Sequence, residues 1–472
     1  MKIAGIYRTN RDRSKFAEFG STPEIADYVD WPLGLQSILA VAQQEGHEVD
    51  LFLPRNEREI EEVLAFNPDM VLCSCMTNQA NFARKLNNNL RSRKPKVISV
   101  IGGYHPSAMP EIVKEGFDFA VLGEGERTFK ELLERIGSGK EYFSDIKGLA
   151  FLKNGELLIT PKRERIEDLD DLPDPFINSR LLSQKSNYLG FPARRERVSG
   201  YVEFSRGCTL SCKFCCSPNL LGRRIAYKSP QRAASQLRRM YEQYGLNDLF
   251  LADLNPTLNL RKLEEIATEL EKQGIGKSMR WGFESGLKGI TTSLLQKLYR
   301  GGNNYICWAL ENITGQTWVH DETTKLPSFE VMKSVLDCSA AIGIMNEAFY
   351  IIGWPEETPQ ELEKAMQVIP TLNLHMIRPT IYTPLPGSVS FDEMQKTGSL
   401  TETDWDKYDT QHLVFRHKHF APGELEEKRE KMLRAFYGSR AYKTRAKDFW
   451  QANPEYKKCF EEFFETIKSY LN

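Results

Sequence analysis

The chain has 472 residues, which at about 150 residues per domain suggests roughly three domains. Hydrophobic residues make up 41% and charged residues 27%, a composition that excludes a disordered or fibrous chain. Lys and Arg total 63 against 64 for Asp and Glu, and this near-neutral balance does not indicate nucleic acid as a partner. No apolar run approaches the ~18 residues of a membrane span, and residues 1–13 lack the apolar stretch of a signal peptide. We therefore expect a cytoplasmic protein.

The first part of the chain alternates strand and helix patterns. Strands are predicted at 2–7, 48–53, 69–75, 96–101 and 117–122. Helices are predicted at 33–44, 57–65, 79–91 and 109–114, and a further helix opens at 123–126. Five such units predict a doubly wound, flavodoxin- or Rossmann-like parallel sheet over residues 1–140.

The rest of the chain divides into three parts. Residues 141–198 hold a hairpin around Asn154-Gly155 and a charged, proline-bearing linker. Residues 199–395 resume the alternation, with strands predicted at 201–205, 248–252, 280–284, 304–310, 346–352 and 374–381. Six units fit a partial (β/α)6 barrel better than an eight-fold one. Residues 396–472 are aromatic-rich and predicted helical, and we interpret them as a packed cap.

The cysteines carry the strongest chemical signal. An odd count of nine argues against a disulfide framework, and four of them, Cys208, Cys212, Cys215 and Cys216, fall within nine consecutive residues. The first three have the spacing C-x3-C-x2-C, on the loop after the first strand of the barrel, where barrel active sites lie. Three thiolates from one loop suit one face of a 4Fe–4S cluster and leave the fourth iron open to a small molecule. A structural zinc site, the alternative, would need a fourth ligand, and no second pair or His follows nearby.

This motif and its placement resemble the radical S-adenosylmethionine (SAM) superfamily. The resemblance implies a 4Fe–4S cluster held by Cys208, Cys212 and Cys215, with SAM chelated by the open iron and cleaved to a 5′-deoxyadenosyl radical. It places Phe214 beside the adenine. Cys216 departs from the family pattern, and we do not expect it to be a ligand.

Further motifs of the second part resemble the same family. The strand end at Asp253 resembles one that lies by the cofactor. Glu311 ends the fourth barrel strand in an element similar to the family's Gly-x-Glu-Ser, although Ala309 replaces the Gly and Asn312 the Ser. A rival match at 282–285 keeps every letter but ends the third strand, so we favour Glu311 as the SAM-binding residue.

Two later motifs have simpler alternatives. The run 353–358 resembles the family's Gly-x-Pro-x-Glu-Thr element, but Glu357 and Thr358 also suit the capping of a helix N-terminus. The run 383–387 resembles its Thr-Pro-x-Pro-Gly turn, which ends a strand and directs a loop to the site.

Polar and glycine residues follow the strands of the first domain, where doubly wound sheets bind ligands. They are Ser74, Gly102, Gly103, His105, Gly123 and Glu124. The runs 31–35, 102–107 and 123–126, with the linker 168–173, closely resemble the cobalamin-binding domain and linker of cobalamin-dependent radical SAM enzymes. The resemblance implies that these six residues contact cobalamin. The alternative is that they form tight turns in a domain that binds nothing.

No axial ligand to cobalt is assigned. None of the seven His lies in the Asp-x-His-x-x-Gly pattern of cobalamin domains that coordinate cobalt through a protein histidine, and His105 fits it poorly. Members of the resembled class often lack such a ligand.

The resemblance implies an enzyme in which the radical takes hydrogen from an unactivated carbon and cobalamin supplies a methyl group. The alternative is a radical SAM rearrangement, isomerisation or cyclisation without methyl transfer. An iron–sulfur electron carrier would need a fourth protein ligand. A tRNA-modifying enzyme is a further option, but the basic residues at 194–197, 223, 224 and 228 are more simply solvated loop charges. An electron donor such as flavodoxin or ferredoxin is an expected partner, and the substrate, expected between the domains near 312–325 or 405–420, is not identified.

Overall fold

Two parallel sheets organise the chain. The computed structural model describes residues 1–8, 31–54, 57–183, 199–313, 327–458, 460, 461 and 464. The loop 312–325 lies almost wholly outside the described residues. No described helix is long and apolar enough to cross a membrane.

The first sheet has seven strands in the order β2-β1-β3-β4-β5-β6-β7. They are β1 (Lys2–Ile6), β2 (Glu48–Phe52), β3 (Met70–Ser74), β4 (Ile98–Gly102), β5 (Phe119–Val121), β6 (Leu149–Lys153) and β7 (Glu156–Ile159). The strands β1 to β5 are parallel, as predicted. The predicted hairpin β6–β7 extends this sheet antiparallel to β5, and its turn residues Asn154 and Gly155 both have positive φ.

Helices connect these strands. They are α1 (Leu33–Gln44), α2 (Glu57–Phe66), α3 (Ala80–Arg93), α4 (Tyr104–Ala108) and α5 (Glu126–Gly137), with α6 (Ser179–Ser183) in the linker. The short helix α4 follows β4 directly and was not predicted, because Pro106 in its middle interrupts any helical pattern. A 3₁₀ turn at Pro110–Glu115 occupies the place where a helix was predicted.

The second sheet has six parallel strands in the open order β15-β14-β13-β12-β11-β8. They are β8 (Ser199–Val202), β11 (Asp248–Leu251), β12 (Arg280–Ser285), β13 (Asn303–Glu311), β14 (Met345–Ile352) and β15 (Met376–Ile381). A two-stranded ribbon joins β9 (Ser205–Arg206) to β10 (Ala226–Tyr227). All nine residues of β13 are buried, as expected for a parallel strand covered on both faces. The sheet is the predicted partial barrel.

The helices of this part surround the barrel and continue beyond it. They are α7 (Ser217–Leu221), α8 (Pro230–Tyr244), α9 (Leu260–Lys272), α10 (Ile275–Ser278), α11 (Thr292–Arg300), α12 (Phe329–Ile342), α13 (Pro359–Val368), α14 (Val389–Lys396), α15 (Glu424–Gly438) and α16 (Arg440–Ala452).

The last two helices pack against the open edge of the barrel. The Tyr437 hydroxyl accepts a hydrogen bond from the Ile377 amide and donates one to its carbonyl, each at 3.1 Å. The buried rings of Phe436 and Tyr442 pack against Tyr437, and the buried Phe449 ring packs against His375. The C-terminal helices therefore form a packed cap on β15. The domain boundaries at 140, 198 and 395 stay predictions.

Candidate active site where the two sheets meet

The cysteine loop is closed at its neck by backbone pairing. Strands β9 and β10 pair antiparallel on either side of it, and the Cys208 amide donates to the Gly222 carbonyl at 3.2 Å. Gly207 has φ +110°, and a Cβ there would collide with the Arg224 carbonyl. The chain therefore needs glycine immediately before Cys208.

The thiols of this loop suit a cluster better than a single ion. Cys208, Cys212 and Cys215 form no disulfide and lie in one loop, the first buried and the other two half-buried. Among the described residues, no three His, Cys, Asp or Glu side chains are placed to hold one metal ion. In a cubane cluster each thiolate binds a different iron, so the three sulfurs need not converge on one point. Three thiolates from one loop fit a 4Fe–4S cluster with one open iron.

Cys216 differs from its neighbours. Burial, reinforced by the adjacent Cys215, raises the pKa of the Cys216 thiol to about 12. That Cys216 lies outside the ligand set stays a prediction.

An aromatic wall stands beside the loop. The Phe214 ring packs edge-on against Trp354, with centroids 5.3 Å apart, and also against Tyr382 at 6.4 Å. The buried His417 ring contacts the Trp354 carbonyl through Nε2 at 2.6 Å and so helps to hold the loop that carries Trp354 in place. The sequence predicts Phe214 but neither Trp354 nor Tyr382, although these two lie in or beside the motifs at 353–358 and 383–387.

Asp253 supports the strand end that leads into the loop. Its Oδ1 accepts from the Phe204 amide at 2.8 Å, and its Oδ2 accepts from the Ser205 hydroxyl. Burial raises the pKa of this carboxyl to about 7. Asp253 therefore fixes the chain three to four residues before Cys208, whatever contact it makes with a cofactor.

Glu311 occupies a strained position. It is buried at the end of β13, with φ +49°, and the pairing of β13 with β14 slips between Ala309 and Glu311. A non-glycine residue in this region costs about 1–3 kcal/mol and is typical of functional sites. The rival Glu284 lies within β12, and its neighbour Ser285 is hydrogen-bonded to Asn255. The strain favours Glu311.

The motif at 353–358 shapes its own loop. The Gly353 amide donates to the Glu357 carboxylate. Thr358 forms a capping box with Glu361, so for Thr358 the helix-capping alternative is what the structure shows. Burial raises the pKa of Glu357 to about 7.

The loops at the carboxyl edge of the first sheet are tied to one another. The Ser107 hydroxyl donates to the Gly103 carbonyl at 2.7 Å and accepts from the Gly123 amide at 2.9 Å. Gly103 has φ +107°, and a Cβ there would lie 2.9 Å from the Cys75 carbonyl oxygen. Ser74 ends β3 and Gly102 ends β4 at the same edge. The predicted residues are thus brought together, and at Gly103 loop packing alone already requires glycine.

His105 is available to a bound group. Its ring is buried, and its Nδ1 has no hydrogen-bond partner among the described residues. Burial lowers the pKa of His105 to about 4, so the imidazole is neutral. Trp405, from the segment after the barrel, packs edge-on against it at 5.1 Å. A buried, unpartnered polar atom at the edge where the sheet would bind cobalamin fits an occupied site.

Glu124 faces the barrel. Its Oε2 accepts from the Ile166 amide at 2.9 Å, and its Oε1 lies 3.4 Å from Arg206. The cofactor contact predicted for Glu124 stays a prediction, and the carboxylate is already engaged by the chain.

The two edges touch each other. The hydroxyl of Tyr104, the residue after Gly103, lies 3.3 Å from the hydroxyl of Ser217, the residue after Cys216. Gly387, in the turn after β15, packs between Ala108 and Cys216. The cysteine loop, the carboxyl edge of the first sheet and the turn at 383–387 therefore form one site.

We expect the Glu357→Gln substitution to remove a pH dependence of stability. The pKa of Glu357 is about 7 in the folded protein, against 4.5 for an exposed glutamate in the unfolded chain. Between pH 4.5 and pH 7, unfolding therefore releases a proton. The protonated Glu357 carboxyl therefore contributes to the free energy of unfolding at low pH, and this contribution is lost as the pH rises through about 7. Gln keeps an acceptor for the Gly353 amide and does not titrate. Anaerobic urea unfolding across this range should show the variant gaining up to about 3 kcal/mol over the wild type as the pH rises.

The control is Glu356→Gln, a neighbouring exposed carboxylate paired with Lys418. Its stability should follow the wild-type pH profile. A Glu357→Gln profile parallel to the wild type would contradict the assignment.

Comparison with known proteins agrees with this geometry. A model of the B12 binding domain matches residues 27–133, and a model of the Radical SAM superfamily matches residues 202–369. The chain is 26% identical over 416 residues to an uncharacterised methyltransferase of Pyrococcus horikoshii, covering 86% of this chain and 87% of the other. It is 27% identical over 393 residues to the anaerobic magnesium-protoporphyrin IX monomethyl ester cyclase of Rubrivivax gelatinosus, with coverages of 81% and 68%.

A solved structure shares the whole fold. The radical SAM methyltransferase TsrM of Kitasatospora setae, with cobalamin and a [4Fe–4S] cluster bound, superposes with a TM-score of 0.68 at 16% identity, over 92% of this chain and 88% of that one. The expected order of a cobalamin-type domain, a radical SAM barrel and a helical C-terminal region is confirmed. So are the expected cofactors: a 4Fe–4S cluster, SAM and cobalamin. The chain is a radical SAM enzyme and belongs to the group whose barrel follows a cobalamin-binding domain.

Proposed function

We propose that this protein is a cobalamin-dependent radical SAM methyltransferase that adds a methyl group to an unactivated carbon. The contact of Tyr104 with Ser217 carries the proposal, because it places the cobalamin-type edge directly against the cysteine loop. A substrate between them can be reached from both sides, and such proximity is what transfer between two cofactors requires. The names of the Pyrococcus and Kitasatospora relatives support methyl transfer.

When bound, the cluster and SAM supply a hydrogen-abstracting radical, and cobalamin supplies the methyl group. For each methyl delivered, one SAM is consumed as methionine and 5′-deoxyadenosine, a second leaves as S-adenosylhomocysteine, and two electrons enter. A flavodoxin- or ferredoxin-type donor for these electrons is part of the proposal. So is a cytoplasmic location, where free thiols stay reduced.

The residues of the barrel side have separate tasks in this proposal. Cys208, Cys212 and Cys215 hold the cluster. Phe214 and its aromatic neighbours provide a flat apolar wall for the adenine. Glu311, held in its strained conformation by the end of β13, hydrogen-bonds SAM.

The residues of the other edge hold cobalamin and exclude water. Ser74 and the glycines Gly102, Gly103 and Gly123 let a large, flat group approach the backbone closely. His105 offers its unpartnered Nδ1 to a polar group of the cofactor. The Trp405 ring packs against His105 and helps to exclude water from this edge.

Cyclisation without methyl transfer is the second candidate. The Rubrivivax relative, named as a cyclase, supports it.

Removing each cluster ligand should abolish the cluster. After anaerobic reconstitution with iron and sulfide, the wild type should hold about four irons per chain. Cys208→Ala, Cys212→Ala and Cys215→Ala should each lose most of this iron and the visible absorption of the cluster. Cys216→Ala is the matched control and should retain both. Full iron retention in any of the first three variants would contradict the ligand assignment.

A labelled methyl group separates methylation from cyclisation. The reconstituted, reduced protein with bound cobalamin is incubated with SAM that carries a deuterated methyl group, and the cofactors are analysed by mass spectrometry. Methyl transfer predicts labelled methyl on cobalamin together with S-adenosylhomocysteine. Formation of 5′-deoxyadenosine with neither of these products would favour cyclisation or rearrangement. Cys208→Ala should lose 5′-deoxyadenosine and serves as the control for cluster-dependent cleavage.

A further inference from the structure

Arg206, two residues before Cys208, is buried among three carboxylates. Its Nε and Nη2 donate to the two oxygens of Glu203, each at 2.9 Å. Nη2 also donates to Glu126 at 3.0 Å, and Nη1 lies 3.4 Å from Glu124. Glu203 lies between β8 and β9 of the barrel part, whereas Glu124 and Glu126 come from the first domain. One guanidinium therefore joins the two parts of the protein at the start of the cysteine loop.

A second arginine closes the neck of the loop. Arg165, from the linker, lies 3.6 Å from Glu124 through Nε. Its Nη2 donates to the Arg206 carbonyl at 3.2 Å, and its Nη1 donates to the Arg224 carbonyl on the other side of the neck. Its side chain also fills the space beside Gly222. Glu124 thus holds both arginines that fix the entry and exit of the loop.

The Arg206 side chain is buried, and its guanidinium is ion-paired with both Glu203 and Glu126. A buried charge that loses one of its partners is strongly destabilised. The cysteine loop and the loop at 123–126 therefore cannot shift independently of each other.

The same loop of the first domain leads to the cobalamin-type edge. The Gly123 amide, one residue before Glu124, is bound by Ser107, which also holds the Gly103 carbonyl. A group that settles on Gly103 and Gly123 therefore acts on the segment that carries Glu124 and Glu126.

We propose that Arg206 is a positioning residue through which occupation of the cluster site raises the affinity for cobalamin, and the reverse. The proposal rests on the proposed function, since it requires that both cofactors bind. Coupling between two sites is reciprocal, and ordering by the first ligand lowers the ordering cost of the second.

The test compares cobalamin affinity in the cluster-free and cluster-loaded full-length protein. Hydroxocobalamin is titrated into both forms under anaerobic conditions, and Kd is obtained by equilibrium dialysis. The wild type should bind roughly five-fold or more tightly when the cluster is present, the lower end of typical coupling. Glu126→Gln removes one negatively charged partner of Arg206, and it should bring the ratio of the two Kd values close to one.

Glu131→Gln is the matched control. Glu131 lies on the same helix α5 and pairs with Arg163 of the same linker, whose other hydrogen bonds within the described residues go to Thr128 and Lys147 of the first part of the chain. It should keep the wild-type ratio. Glu124→Gln and Arg206→Lys repeat the test should Glu126→Gln fail to fold.

Three outcomes would overturn the proposal: a wild-type ratio of one, an unchanged ratio in Glu126→Gln, or an equal loss in Glu131→Gln. Wild-type protein that loads the cluster but binds no cobalamin would instead show that the proposed function itself fails.

Discussion

The buried guanidinium of Arg206 is the contact on which the geometry of the site depends. It is held by Glu203 of the barrel part and by Glu126 of the first domain, and it immediately precedes Gly207 and Cys208. A buried charge without a partner would be strongly destabilising. Because the ion pairs of Arg206 join both domains, they hold the two domains in a fixed relative position. The position of the cysteine loop is therefore set by both sheets together.

The ion pairs of Arg206 explain why the candidate site lies where the two domains meet. Doubly wound sheets and barrels both place ligands beyond the carboxyl ends of their strands. Here the two edges face each other, with Tyr104 against Ser217 and Ala108 against Gly387. Trp405, from the segment that follows the barrel in the chain, packs its ring against His105. In the proposed function, two cofactors bound at these edges would lie close together, as transfer between them requires.

Much of this architecture is local in the sequence and could be predicted. The strands are short apolar runs, so both sheets and the hairpin follow from the sequence pattern. Four of the nine cysteines lie within nine consecutive residues, so the cysteine loop follows from their spacing. What could not be predicted depends on distant packing. The left-handed backbone of Glu311 coincides with a slip between two strands, and two partners of Arg206, Glu124 and Glu126, lie 82 and 80 residues away in the chain. Trp405 meets His105 across 300 residues, and no local pattern connects them.

The central claim is that the cluster and cobalamin bind at two edges that lie against each other, and electron paramagnetic resonance tests it most directly. The full-length protein, reconstituted with both cofactors, is reduced until the cluster and the cobalt each carry an unpaired spin. Our account predicts a dipolar interaction that broadens both signals and is absent from Cys208→Ala, which retains only the cobalt spin. Two unperturbed spectra that simply add would place the centres far apart and would contradict it.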